Sequence, residues 1–558
     1  MSIYLNSPGT TTPEIDQSFR RNGISDESAF TIIGLFEKGP RGIPVRVTSQ
    51  SQLVNTFGDN NVGFYGTTTA LKALEEKGDV YVTRILPGDA SDAILEIPLS
   101  GSSDTFIVSS RTSGKSGNTD WEVIITQNTD SFNLDVVRYG TSGDQVPVVL
   151  ESFPNLVFDP DSVNFIGRRI GTEREVLDTV NNVVYTTGDY PLISQFIRVD
   201  KVEIPENKQS LLAEAGIYRI FDYNGDPTSE AFITGSDGTF NANPKFGANM
   251  TLTNAQGLNF EANNTGSTSP YQAYIDAITL LSNSDEYDVE ALFTPGIIHE
   301  LGGAMVPIIE AGIQMSQERG DVLYVFDLHK QDTRNASTIA VLTSGYDTSY
   351  GAVYAGWPRI YDNRKQKFQF VPNTVLLPKI FAFSDNLSDP WIAPAGLTRG
   401  GIPDARSTTV KWSAPQRNTL YNARVNPIAQ FPGEGVVVWG QKTLQKRASA
   451  LDRVNVRRLL IRLKKFFTRV GNEITFENNT TLTRTRFLDI VNPYMERVQE
   501  RQGLTEFRVI MDETNNPGST IDRNEIRGDV YIEPSRSGEF VRIPFTVLPT
   551  GTIMELDQ

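Results

Sequence analysis

The sequence predicts a multidomain protein that combines a doubly wound α/β domain, an inserted β-sandwich or barrel and an α+β C-terminal domain, with extended terminal arms. At 558 residues the chain is too long for one core. Two stretches alternate apolar strands with amphipathic helices, and the stretch between them carries short, polar-flanked strands. The predicted divisions are an arm at 1–24, α/β segments at 25–92 and 246–425, the insert at 93–245 and the C-terminal domain with its arm at 426–558.

Both α/β segments alternate predicted strands with predicted helices. FTIIGLFEKGP, from Phe30, predicts a buried strand that ends in a Gly-Pro turn, and helical patterns precede the β-branched strand VYVTRIL. From Tyr271 a helix, a strand, a second helix and the strand DVLYVFDL follow in turn. This alternation predicts a doubly wound sheet.

Short strands dominate the region between these segments. FIVSS, WEVIIT, FNLDVVRY and VVYTT are separated by Gly, Asn, Asp and Ser. Such spacing predicts a β-sandwich or a barrel, and the residues leave the choice between them open.

The C-terminal domain begins with a basic amphipathic helix, predicted from Asp452 to Val470 with Gly471 as its C-cap. A second helix, broken or begun at Asn492–Pro493, precedes three strands: FRVIM, DVYIEP and FVRIPFTVL. Six basic residues of the first helix lie mostly off its apolar face: Arg453, Arg457, Arg462, Lys464, Lys465 and Arg469.

Charge is distributed unevenly along the chain. The net charge is -16, yet residues 442–508 hold 15 Lys/Arg against 7 Asp/Glu, a balance of +8, so the rest carries -24. This asymmetry indicates a basic surface that faces something negative, although a solvated helix face would also explain it. Nucleic acid is a third interpretation, but no recognition signature accompanies the helix.

The sequence gives little support to catalysis, cofactors or metals. It has no Cys and two His, His299 and His329, and it lacks the G-x-S-x-G elbow of a hydrolase. Ser109 to Gly117 is a near-miss for a phosphate loop, but a strand follows it. The acidic cluster Asp285, Glu286 and Asp288 and the pair Asp159 and Asp161 lack a calcium-loop frame. We therefore predict no catalytic, cofactor-binding or metal-binding residue.

No apolar run of about 18 residues predicts a membrane span, and MSIYLNSPGTTTPEID has neither a basic start nor an apolar core of a signal peptide. We therefore expect a chain that is made and used in a cytoplasm.

Two segments carry a resemblance to a known family. NPIAQFPGEGVVVWGQKTL, followed by LDRVNVRRLLIRLKKFFTRV, closely resembles the C-terminal region of contractile tail sheath proteins of bacteriophages. DPWIAPAGLTRGGI and the FTIIGLFEKGP strand are similar to further segments of that family. The resemblance extends from residue 30 to the end and is strongest after Pro390.

The resemblance implies a structural subunit without an enzymatic activity. Sheath subunits form stacked hexameric rings around an inner tail tube in a metastable extended state, and contraction drives the tube through the host envelope. The implied partners are further copies of the chain, the tube protein, and baseplate and tail terminator proteins, without nucleic acid or membrane insertion. The implied location is the virion, after assembly in the host bacterial cytoplasm. The α/β domain would be subtilisin-like in topology, and the insert would project outward.

The resemblance also implies roles for two sets of residues. The six basic residues of the helix, listed above, would face an acidic tube. The arms would add strands to neighbouring subunits. The candidate strand residues are Ile3, Leu5, Ile15, Phe540, Val541, Ile543, Phe545 and Val547.

Three alternatives remain open at this point. A sheath of a phage-like bacteriocin or secretion particle shares the same core. A static virion protein would lack the basic helix and the arms. A subtilisin-like hydrolase would need a triad that contains a histidine.

Overall fold

A computed structural model describes residues 29–59, 62–98, 105–114, 122–138, 148–202, 216–218, 232–233, 236–240, 244–264, 266, 268–362 and 366–540. The predicted N-terminal arm and the last predicted strand beyond Phe540 lie outside these residues.

The strands are numbered in chain order. They are β1 (Ala29–Gly34), β2 (Val45–Val47), β3 (Val80–Arg84), β4 (Asp92–Pro98), β5 (Thr105–Ser113), β6 (Glu122–Gln127), β7 (Phe132–Arg138), β8 (Val148–Leu156), β9 (Arg174–Asp178), β10 (Val183–Thr187), β11 (Ile197–Val202), β12 (Gly216–Tyr218), β13 (Phe232–Ile233), β14 (Val289–Ile298), β15 (Leu323–Asp327), β16 (Gly351–Ala355), β17 (Pro358–Asp362), β18 (Lys367–Phe370), β19 (Ala405–Thr408), β20 (Asn426–Phe431), β21 (Gly435–Val438), β22 (Leu504–Ile510) and β23 (Asp529–Pro534).

The α-helices are numbered in the same way. They are α1 (Gln50–Phe57), α2 (Tyr65–Ala73), α3 (Ile166–Ile170), α4 (Tyr271–Leu280), α5 (Met305–Arg319), α6 (Ala336–Val341), α7 (Leu377–Leu387), α8 (Gly396–Arg399), α9 (Ala414–Asn422), α10 (Val454–Ile474), α11 (Thr481–Glu500) and α12 (Gly518–Ile521).

The α/β body is built on an eight-stranded sheet in the order β2-β3-β1-β14-β15-β16-β20-β21. The six strands from β3 to β20 are parallel, and the two edge strands are antiparallel. Every residue of β1, β14, β15 and β16 is buried, which fits a parallel sheet covered on both faces. The predicted mixed α/β architecture is confirmed, whereas the subtilisin-like topology stays a prediction.

The body extends further along the chain than predicted. β20 pairs with β16, and β21 pairs with β20, so residues 426–438 belong to the body sheet. Val436 and Val438 are buried in the body core. The boundary placed at residue 426 is therefore wrong, because the β-branched run completes the sheet before the C-terminal domain begins.

The insert contains two four-stranded antiparallel sheets, β11-β5-β4-β13 and β12-β6-β7-β8, and the separate β9–β10 hairpin. Apolar residues of both sheets form one core, as Leu95 and Val108 of the first sheet and Val123 and Leu134 of the second illustrate. This arrangement corresponds to the sandwich among the two predicted alternatives.

The C-terminal domain packs two long helices against the β22–β23 sheet. Helix α10 ends at Ile474 with Thr475 as its C-cap, so Gly471, the predicted C-cap, lies inside the helix. Helix α11 begins at Thr481 and runs continuously through Pro493, so the predicted break is also wrong. Phe487, Val491 and Tyr494 of this helix are buried, and their packing offsets the hydrogen bond that the proline removes.

Candidate functional site

Helix α10 connects two hydrophobic cores. Val454 and Ile461 are buried in the core of the α/β body, whereas Leu463, Phe466 and Val470 are buried in the core of the C-terminal domain. A helix buried on two sides leaves little surface for a solvated charged face. The basic residues therefore have to be accommodated partly inside the protein.

Three arginines of this helix are almost completely buried. Arg457, Arg458 and Arg462 are 3%, 3% and 5% exposed. The guanidinium of Arg457 lies over the ring of Tyr350, 4.0 Å from its centroid, and donates to the hydroxyl of Ser349. Its charge is therefore directed at the α/β body.

Arg458 and Arg462 belong to a buried ionic cluster with Lys77, Glu290 and Asp385, called here the Glu290 cluster. Glu290, in β14, lies 3.2 Å from Arg458, 3.1 Å from Arg462 and 3.7 Å from Lys77, measured between side-chain nitrogen and oxygen atoms. Arg458 also forms a two-pronged pair with Asp385 of α7, at 2.8 and 2.5 Å. Three cations and two carboxylates from four parts of the chain thus meet at the domain junction.

The protonation of Glu290 reflects this setting. Burial by itself raises the pKa of the carboxyl, but the surrounding Arg462, Lys77, Arg458 and Lys465 lower it to about 2. Glu290 is therefore ionised at neutral pH, and it compensates cations that would otherwise be buried without a counter-charge.

The remaining basic residues of the helix are less buried, and most also contact the body. Lys464 is exposed, and its ammonium donates to the Gly320 carbonyl at 3.0 Å. Lys465 pairs with Asp288 and with Asp321, the latter at 3.4 Å. Arg469 is half-buried.

Arg453 precedes the helix as its N-cap residue. It pairs with Asp452 at 2.9 Å and with Glu539 at 2.6 Å.

These contacts correct the predicted basic surface. Arg457 and Arg462 cannot form part of an exposed tube-facing surface, because both are buried against the α/β body. The acids that the helix contacts belong to this chain itself. Tube contact by Arg453, Lys464, Lys465 and Arg469 stays a prediction.

Sequence reasoning missed the acidic side of this junction. The one available signal was Glu290 itself, a charged residue in the otherwise apolar run VEALFTPGII, where a buried charge needs a partner. Asp385 and Lys77 gave no comparable signal, because each lies in an ordinary amphipathic or polar stretch.

The second candidate site is the β22–β23 sheet. In the described part of the chain this sheet has two antiparallel strands, so the outer edge of each lacks a neighbouring strand. Val530 and Tyr531 of β23 are 40% and 59% exposed. A two-stranded sheet is marginally stable alone, and open edges are templates for added strands.

Only one of the predicted strand-exchange residues lies among the described residues. Phe540 is 78% exposed. The others lie outside the described residues: Ile3, Leu5, Ile15, Val541, Ile543, Phe545 and Val547.

The two histidines have structural surroundings. His329 is buried; its Nε2 accepts from the Gly356 amide at 3.1 Å, and its Nδ1 lies 2.7 Å from the Lys330 carbonyl. Both nitrogens are thus engaged with backbone, which leaves none for a general base. His299 packs against Tyr346, with ring centroids 5.4 Å apart.

Among the described residues, no group of three or more His, Asp or Glu side chains is placed to hold a metal ion. Within the same residues, no helix has both the length and the apolar character needed to cross a membrane.

Fold and site together define a multidomain α/β protein whose candidate site consists of domain contacts and, within the described residues, the unpaired edges of a two-stranded sheet. Residues 447–547 match the family model of the phage tail sheath C-terminal domain. The predicted resemblance to phage tail sheath proteins is confirmed, and the match covers α10, α11 and the β22–β23 sheet.

Curated relatives extend this result. The chain is 36% identical over 203 residues to the tail sheath protein of Vibrio phage KVP40, covering 36% of this chain and 30% of that protein. It is 27% identical over 285 residues to the tail sheath protein of Salmonella phage ViI, covering 49% and 43%. The matched segments thus span less than half of these relatives' length.

Among solved structures, the sheath tail protein Lin1278 of Listeria innocua has a similar fold. The TM-score is 0.53 at 9% identity, over 92% of both chains. At this identity the likeness concerns the fold alone.

Proposed function

We propose that this chain is a structural subunit of a contractile phage tail sheath. It polymerises in stacked hexameric rings around the inner tail tube, in a metastable extended state, and contracts to drive the tube through the host envelope. Its other partners are the baseplate and tail terminator proteins. It assembles in the host bacterial cytoplasm, resides in the virion, and needs no cofactor or enzymatic activity.

The edges of the β22–β23 sheet, which have no neighbouring strand in the described part of the chain, carry this proposal. They lie within the region that matches the sheath C-terminal domain. Strands donated by the arms of neighbouring subunits would complete this sheet with backbone hydrogen bonds. Such links persist while neighbouring subunits rotate relative to one another, which is what a contracting polymer requires.

The Glu290 cluster supports a specific mode of motion. It ties α10 to β14 and α7, so the C-terminal domain and the α/β body of one subunit are joined by buried charges. We infer that each subunit moves largely as one rigid unit. Contraction then changes contacts between subunits, and a difference of about 1–2 kcal/mol per subunit suffices when many copies act cooperatively.

Sheaths of phage-like bacteriocins and secretion particles are the second candidate, because they share the core. The sandwich insert favours a phage, since the smaller particles often have a reduced insert. A subtilisin-like hydrolase is disfavoured by the backbone contacts of both His329 nitrogens.

Negative-stain electron microscopy of the purified chain tests the proposal. We expect hollow, helically striated tubes, alone or on an added tail tube as template. A chain that stays monomeric under both conditions would contradict the proposed function.

In α10, a contact with the tube would have to be made by basic side chains that are partly exposed. We expect the double variant Lys464→Glu and Arg469→Glu to fold normally but to lose co-sedimentation with tail tubes, because an acidic tube would repel it. The double variant Arg406→Glu and Lys411→Glu, which changes exposed residues of the body by the same charge, is the matched control. Equal co-sedimentation of both variants would remove the tube-facing role.

A further inference from the structure

A carboxylate near the end of the described chain is held by three parts of the α/β body. Glu539 accepts from Arg453 Nε at 2.6 Å and Nη2 at 2.9 Å, a two-pronged ion pair. It also accepts from the Tyr421 hydroxyl at 2.7 Å and from Gln441 Nε2 at 3.1 Å. Gln441 donates in addition to the Ser537 hydroxyl at 2.6 Å. We call this set of residues the Glu539 clip.

The clip determines the course of the chain after β23. The amide of Ser535 donates to the Gly503 carbonyl at the start of β22, so the chain is still on the C-terminal domain at that residue. Four residues later Glu539 is bound to Arg453, 86 positions earlier in the sequence. The segment 535–539 therefore leads from the C-terminal domain back to the junction with the body.

Residues 535–539 form neither a helix nor a strand that could hold them in place. Glu539 is 16% exposed at its side chain and has four donor contacts, whereas the neighbouring Phe540 is 78% exposed. Removing the Glu539 carboxylate is costly, because Arg453 would then lose its bidentate partner.

From this geometry we propose that Glu539 is a positioning residue that anchors the root of the C-terminal arm, residues 541–558, to the α/β body. The inference rests on the proposed function for the role of the arm. When a neighbouring subunit takes up the arm, force passes through Glu539 and Arg453 directly into the body. The β22–β23 sheet then carries none of that force.

Hydrogen–deuterium exchange of the full chain tests the anchor without requiring a polymer. In the Glu539→Gln variant we expect the amide of Ser535, which donates to the Gly503 carbonyl, to exchange about tenfold faster, because the chain that follows it is no longer held. Tenfold corresponds to the loss of about 1.4 kcal/mol from one charge-assisted contact. Glu533→Gln is the matched control, because Glu533 is an exposed glutamate in strand β23, shortly before the clip. It should leave this exchange unchanged.

Two further variants examine the ion pair from its other side. Arg453→Gln should accelerate exchange of the Ser535 amide in the same way, and the reversed pair Arg453→Glu with Glu539→Arg should return it towards the original rate. Unchanged exchange in both Glu539→Gln and Arg453→Gln would overturn the anchor.

Tube formation then tests the purpose of the anchor. We expect Glu539→Gln to form at least about tenfold fewer tubes than Glu533→Gln at the same concentration, in proportion to the released arm root. Equal tube formation despite faster exchange would overturn the positioning role. Absence of tubes from the unmodified chain would instead count against the proposed function, while the exchange result would still decide the anchor.

Discussion

We expect the replacement of Glu290 by Gln to lower the free energy of unfolding by about 3–5 kcal/mol, the range for a buried ion pair that loses one partner. Glutamine keeps the size of the side chain but removes the charge that faces Arg458, Arg462 and Lys77. Asp385 alone would then oppose three buried cations. Urea unfolding, followed by circular dichroism, measures the loss.

Two variants make this result specific. Glu310→Gln changes an exposed glutamate of α5 and should shift the free energy of unfolding by less than about 0.5 kcal/mol. Adding Arg462→Gln to Glu290→Gln restores the charge balance of the cluster, so the double variant should lose less than the sum of the two single losses. Strict additivity would show that Glu290 and Arg462 do not interact.

Lowering the pH should destabilise the unmodified protein through protonation of Glu290. The pKa of Glu290 falls from its ordinary 4.5 to about 2 on folding, so the folded state binds this proton less readily than the unfolded chain. The stabilisation, about 3 kcal/mol, is present above pH 4.5 and is lost as the pH falls towards 2. Urea midpoints between pH 7 and pH 3 should fall more steeply for the unmodified chain than for Glu290→Gln. Parallel curves would contradict the assigned pKa.

The long periodic elements of this fold could be predicted because local patterns determine them. The i, i+3/i+4 spacing of apolar residues predicted α10, and β-branched runs predicted β1, β3 and β15. What surrounds each element is not a local property. The spacing in α10 could not reveal that its other side also packs on a domain, so its arginines were expected on an exposed face.

The predicted end of α10 and the predicted break in α11 were wrong for a related reason. Gly471 and Pro493 are ordinary signals for the end or the start of a helix, yet both lie inside helices here. The core of the C-terminal domain, with Val470, Ile474 and Val491 buried, favours helix on both sides of these residues. Tertiary packing thus outweighs a local cost of about 1 kcal/mol for glycine and about 3 kcal/mol for proline.

We expect deletion of residues 1–20 to abolish polymerisation while leaving a folded subunit. If the N-terminal arm completes the β22–β23 sheet of a neighbour, its loss removes a whole row of intersubunit backbone hydrogen bonds and leaves open the strand edge that the arm would cover. The described residues of the α/β core begin at β1, so the deletion leaves all of them in place. Tubes are counted by electron microscopy, and folding is checked by thermal unfolding of the monomer.

Triple substitutions within the arm distinguish strand addition from unspecific loss of the arm. Changing Ile3, Leu5 and Ile15 to Pro removes three backbone donors and should prevent tube formation as the deletion does, since proline cannot donate in a ladder. Changing the same residues to Ala keeps every donor and should weaken polymerisation less. If the alanine and proline variants form tubes equally well, or if the truncated chain still polymerises, backbone pairing by this arm does not hold the polymer together, and subunit contacts must reside in the α/β bodies instead.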